Sequence, residues 1–198
     1  MIDKIIQLEW EWFENVRHID GRAECQNDHE TFYLQRKAQF LGYSDELLNS
    51  YYQDLVNARN IGRNPIMEKY AYMMESTDTE HFKKIQPQLP LIDDEKKQLV
   101  NMICDIEVMM REEVNQKYPG LAKQARIIYT KDDTVDSISF ETYLRGELYT
   151  YSPHSLWLYG QMVVEALQQG HNIVEEILER TVRLYGYLSL ESANEHYL

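Results

Sequence analysis

Cysteine is nearly absent, with only Cys25 and Cys104 among 198 residues. Two thiols make neither a disulfide framework nor a zinc site by themselves, so both read as reduced cysteines of a cytoplasmic protein. Basic residues are scarce relative to acidic ones: 20 Lys and Arg face 33 Asp and Glu, for a net charge of −13. That balance argues against a general nucleic-acid binder, which depends on Lys and Arg releasing counterions. It also disfavours an anionic membrane surface, although net charge speaks to the whole surface and leaves room for one basic pocket. Long apolar runs are missing too. The longest stretch free of Asp, Glu, Lys and Arg runs from Leu148 to Val164 and contains Ser152, Pro153 and His154, too short and polar to span a bilayer. Met1-Ile2-Asp3-Lys4 is not a basic flank followed by an apolar run, so no signal peptide is expected.

Several motifs are also missing. None of His18, His29, His81, His154, His171 and His196 lies in a Glu-x-x-His or His-x-x-x-His spacing, so no metal site is expected from the helical patterns that build one. A site assembled from carboxylates distant in sequence stays open. No Gly-x-Gly-x-x-Gly and no phosphate-loop lysine occurs, which removes the classical nucleotide folds, and no cofactor is expected.

What is present is a helical pattern from end to end. Ile2, Ile5, Ile6, Phe13 and Val16 form one face of a first helix, with Glu9 on that same face. Asn27-x-x-Glu30 reads as a capping box opening a second helix that ends near Gly42. Ser44 reads as the cap of a third, closed by Gly62, and Asn64-Pro65 as the start of a fourth. A long helix is expected from about Asp93 to Lys117, with Leu99, Ile103, Ile106, Met110 and Val114 as its stripe. Tyr129–Ser137, rich in Thr and Asp, is expected to be irregular or a short β-hairpin. Ser152-Pro153 and Asn172-x-x-Glu175 start two more helices, ending at Gly170 and Gly186. No repeat, heptad run or linker divides the chain, so the expectation is one all-α domain over residues 1–198, a compact multi-helix bundle.

Three stretches mix charge, aromatic rings and small residues: Gly21–Gln26, Glu68–Met74 and Glu141–Glu147. Glu9 on an apolar stripe needs an arginine partner, Arg22 or Arg36, whether as a structural ion pair or as the wall of a cleft. Arg22 beside the start of the second helix makes an anion-binding corner, or else satisfies carbonyls or Glu9. Cys25 with His29 admits a thiolate–imidazole pair, although a small buried thiol is the commoner arrangement. Arg63 stands beside a helix N-terminus. Glu141 and Arg145 have the spacing of an ordinary surface ion pair. Gly146 inside a helix calls for close helix packing or a ligand against the backbone.

The segments Glu11-Trp12-Phe13, Gly21-Arg22-Ala23-x-Cys25-Gln26, Gly62-Arg63-Asn64, Glu68-Lys69-Tyr70-Ala71-x-Met73-Met74 and Glu141-Thr142-Tyr143-Leu144-Arg145-Gly146-Glu147-Leu148 resemble, in this order, a bacterial family catalogued as domain of unknown function 4125. The resemblance covers nearly the whole chain. It implies a bacterial, cytoplasmic, single-domain protein, and it carries over no activity and no catalytic residue.

The residues themselves suggest recognition of a small polar or anionic molecule in an inter-helix cleft. Arg22, Arg63 and Arg145 would bind it, with Glu9, Glu68 and Tyr143 orienting it. Turnover would call on Glu68 or Glu147 as a base, and a base there needs a raised pKa. The rival reading is a protein-interaction module, because 15 tyrosines and three tryptophans are residues enriched at interfaces. A homodimer is admitted on base rates alone.

Overall fold

A computed structural model describes residues 1–16 and 24–198. The secondary structure is α-helical throughout, with no strand among the described residues. Among the described residues eleven α-helices follow one another: α1 Ile2–Phe13, α2 His29–Phe40, α3 Asp45–Asn60, α4 Pro65–Thr77, α5 Thr79–Ile85, α6 Asp94–Lys117, α7 Pro119–Lys123, α8 Phe140–Leu148, α9 Pro153–Gln168, α10 Ile173–Leu184 and α11 Leu190–His196.

The helix starts follow local chemistry. Ser44, Asn64, Ser152 and Asn172 each accept a hydrogen bond from the backbone N–H three residues on, satisfying a donor that the first turn cannot pair. The second helix begins one residue later than its capping box suggested. Asp28, not Asn27, accepts from the Thr31 N–H, and Glu30 lies in the first turn without closing a box. Asn27 instead ends a 3-10 turn over Glu24–Asn27, where the buried Gln26 amide donates to the Phe13 and Val16 carbonyls and ties off the end of α1. Gly62, Gly170 and Gly186 close their helices with positive φ, which favours glycine. Tyr129–Ser137 contains no hairpin. A 3-10 turn over Thr130–Asp132 leads to a tight loop in which Thr134 and Ser137 exchange backbone hydrogen bonds.

The helices pack α4 on α8, α2 on both α1 and α10, α6 on α8, α9 and α10, and α3 on α9. The main core joins Ile5, Phe40, Leu55, Val100, Leu148, Leu156 and Val163, all at most 1% exposed. Gly146 explains how α8 comes so near α4. A Cβ there would lie 2.9 Å from the Lys69 carbonyl oxygen and 2.8 Å from Met73 Cγ, so close helix packing excludes a side chain. This contact brings Lys69 of α4 alongside Glu147 of α8.

Candidate functional site

Glu9 lies on the buried face of α1 and is fully inaccessible. Such a carboxylate requires both a cation and hydrogen bonds. Arg36 of α2, one of the two expected partners, supplies the cation: its Nε and Nη2 donate to the two Glu9 oxygens at 2.7 and 2.6 Å. The Tyr51 hydroxyl adds a third bond to Glu9 at 2.7 Å. The far side of the same guanidinium meets Glu147, with Nη1 donating to its oxygens at 3.0 and 3.1 Å. Lys69 closes the array with Nζ 2.6 Å from Glu147 Oε2 and 3.5 Å from the centre of the Tyr143 ring. Gln39 donates to Glu147 and to the Tyr43 hydroxyl, which in turn shares a hydrogen bond with the Tyr151 hydroxyl.

Among the described residues, two carboxylates and two cations thus form one buried network whose charges sum to zero. Burial works against the charge of Glu147, but Arg36 and Lys69 outweigh it and hold the carboxyl well below its ordinary range. Burial also opposes the charge of Arg36, which Glu147 and Glu9 raise well above its ordinary value. Glu147 is therefore a permanently ionised structural anion and a poor general base, which removes it from the base role considered above.

The remaining sequence candidates divide. Arg63 and Glu68 bind each other in a bidentate pair at 2.8 and 2.6 Å, with Glu68 buried and Arg63 partly exposed. Arg145 pairs with Glu141 at 2.6 Å and reaches Asn101 of α6, so it faces away from the network. Tyr143 joins the network only through Lys69. Gly21, Arg22 and the anion-binding corner expected there lie outside the described residues, as does the Cys25 side chain. Cys104 is buried, and burial pushes its thiol up to about 12, so it behaves as a small hydrophobe.

A different part of the molecule is open. A cavity of about 500 Å³ lies between α6, α7 and α10 and is walled by Val114, Leu121, Phe140, Val174, Leu178 and Val182, with Tyr118, Tyr185, Tyr187 and Tyr197 at its edges. Gln35, Asn115, Gln124 and Thr181 are also among the lining residues, and two charged residues, Glu107 and Arg111, stand one turn apart on α6. The buried Arg111 Nε has no hydrogen-bond partner, and no carboxylate among the described residues lies within 4.0 Å of the guanidinium. Its described contact is the Phe140 ring, 5.6 Å from Cζ. Desolvation alone lowers its pKa, the mark of a cation without a counter-ion. Glu107 is also buried. It accepts a 2.7 Å hydrogen bond from the Tyr159 hydroxyl, and burial pushes its carboxyl up to about 8, leaving it mostly protonated at neutral pH.

The family model described as a protein of unknown function, DUF4125, matches residues 1–195. The chain belongs to this family. No curated protein and no solved structure matches it. No helix among the described residues is long and apolar enough to cross a membrane, and no group of three or more His, Cys, Asp or Glu among them is arranged to hold a metal ion.

Sequence reasoning missed both charged residues of the cavity, although one signal was present. The buried face of α6 runs Val100, Ile103, Cys104, Glu107, Met110, Val114. Glu107 is thus a carboxylate on an apolar stripe, the same anomaly that singled out Glu9. Arg111 gives no such signal, because four residues after a glutamate it reads as half of an ordinary surface pair.

Proposed function

We propose that this protein binds a small molecule with a polar or anionic group in the cavity between α6, α7 and α10, with Arg111 as its anchor. One observation carries the reading: Arg111, partly buried and with its buried Nε unpartnered, lines a largely apolar cavity of the size that holds small ligands. An unsatisfied buried donor costs about 1–3 kcal/mol, and an incoming acceptor removes that cost. The reading keeps the Arg, Glu and Tyr lining expected from the sequence and moves it to Arg111, Glu107 and the four edge tyrosines. Arg63 and Arg145 support it less, since each already has a carboxylate. The interaction-module reading also draws less support, because Tyr43, Tyr51, Tyr151 and Tyr159 are buried and unavailable to a partner.

The test is a thermal-shift screen of the purified protein against carboxylic acids, phosphates, nucleotides, amino acids and sugars. A ligand at about 100 times its Kd adds about 2.7 kcal/mol, a rise of several degrees for a domain of this size. The expected hit is abolished by Arg111→Gln and retained by Arg63→Gln. A hit with the opposite sensitivity moves the site back to the α4 start, and a panel without hits removes the binding reading.

A further inference from the structure

Resting on that binding reading, we infer that the cavity selects a monocarboxylate with an apolar body, the carboxylate on Arg111 and the body along the α6–α10 wall. Two independent features lead there. The first is the charge of the site. Arg111 is the one cation among the described lining residues, no described carboxylate lies within 4.0 Å of it, and its Nε has no hydrogen-bond partner. Glu107, the one acidic side chain among the described lining residues, accepts a hydrogen bond from the Tyr159 hydroxyl at 2.7 Å and has no described cation within ion-pair distance. Its burial favours the neutral acid, so it does not cancel the charge of Arg111. The site therefore carries a single uncompensated positive charge, which one carboxylate neutralises. A phosphate dianion would leave an excess negative charge inside a protein whose net charge is already −13. An amine would meet the guanidinium with like charge.

The second feature is the shape of the polar groups. A guanidinium presents paired N–H donors in a planar fork that fits the two oxygens of a carboxylate, as Arg36 already shows with Glu9 in this protein. The rest of the lining offers no comparable array. Val114, Leu121, Phe140, Val174 and Leu178 provide apolar contact, which contributes affinity roughly in proportion to area and rewards a hydrocarbon or aryl body over a sugar or an amino acid.

The experiment compares matched probes by titration calorimetry at pH 7: phenylalkanoates from phenylacetate to 6-phenylhexanoate, each with its neutral amide and its amine, on the full chain. At the best length the acid is expected to bind at least tenfold tighter than its amide, with the amine weaker still. Arg111→Gln is expected to remove that tenfold preference while leaving the amide's affinity within a factor of about two. Arg111→Lys, which keeps the charge but not the fork, is expected to recover part of it. Far-UV circular dichroism and a melt on each variant exclude misfolding as the cause. If acid and amide bind equally, the carboxylate inference falls while the cavity reading stands. If no probe of any length or charge binds, both fall.

Discussion

Glu147 and Glu107 are both buried glutamates on neighbouring helices, and their surroundings drive them in opposite directions. Glu147 sits between Arg36 and Lys69 and stays ionised at any ordinary pH. Glu107 has only a tyrosine hydroxyl, and burial lifts it to about 8. The cations show the same contrast. Arg36 is bound by two carboxylates and a glutamine, whereas Arg111 meets an aromatic ring and leaves a donor free. Arg36 is buried and Arg111 partly so, and the useful distinction between them is whether the molecule itself completes the charge. Where it does, as around Arg36, the group holds helices together. Where it does not, as around Arg111, a buried donor is left without a partner among the described residues, which is what the proposed ligand would supply.

The strongest challenge to this contrast is Arg36→Met. It leaves Glu9 and Glu147 buried without their shared cation, so a loss of about 3–5 kcal/mol is expected in urea denaturation. A loss below about 1 kcal/mol would show that the network is not the structural element described here.

The second challenge uses pH. Glu147 has a lowered pKa in the folded state, so its stabilisation is present above the ordinary carboxylate value and is lost as pH falls through the folded one. Glu107, raised to about 8, behaves in reverse: its contribution is complete below about 4.5 and is lost as pH rises through about 8. Glu107→Gln keeps an acceptor for Tyr159 and cannot ionise. Its stability relative to wild type is expected to climb between pH 5 and 8 by on the order of 1 kcal/mol per unit. Parallel stability–pH curves for the two proteins would overturn the assignment.

A smaller effect of opposite sign is expected at Arg111. Arg111→Met replaces an uncompensated, partly buried cation by an apolar side chain of similar length and should stabilise the ligand-free protein by about 1 kcal/mol, read as a rise in melting temperature. Destabilisation would mean that the guanidinium already has its partner. Arg145→Ala, in neither region, is expected to cost less than about 1 kcal/mol, as befits a partly exposed i, i+4 pair.

The extent to which this was legible in the sequence followed the range of each interaction. Ser44, Asn64, Ser152 and Asn172 act within three residues of themselves, so their spacing alone placed the helix starts. At Asn27-Asp28 two good capping residues stand side by side, and the side-chain chemistry does not distinguish them. Glu9 was conspicuous because a carboxylate interrupts an apolar stripe, and the need for a cation narrowed its partner to two arginines. The contact between Arg36 and Glu147 spans 111 residues and depends on the crossing of α8 over α4 at Gly146, which no local pattern encodes. That no described carboxylate pairs with Arg111 is harder still to see, since it is a property of the finished packing rather than of any segment.

The zero sum of the Arg36 network also bears on how this protein can change over generations. Replacing any one of Glu9, Arg36, Lys69 or Glu147 strands a whole charge in the interior. Replacing an acid and a base together, or exchanging both for apolar side chains of matching volume, does not. Substitutions at these four sites are therefore expected to arise in pairs across descendants. Arg111, which has no carboxylate partner among the described residues, is under no such pairing and is expected to vary alone.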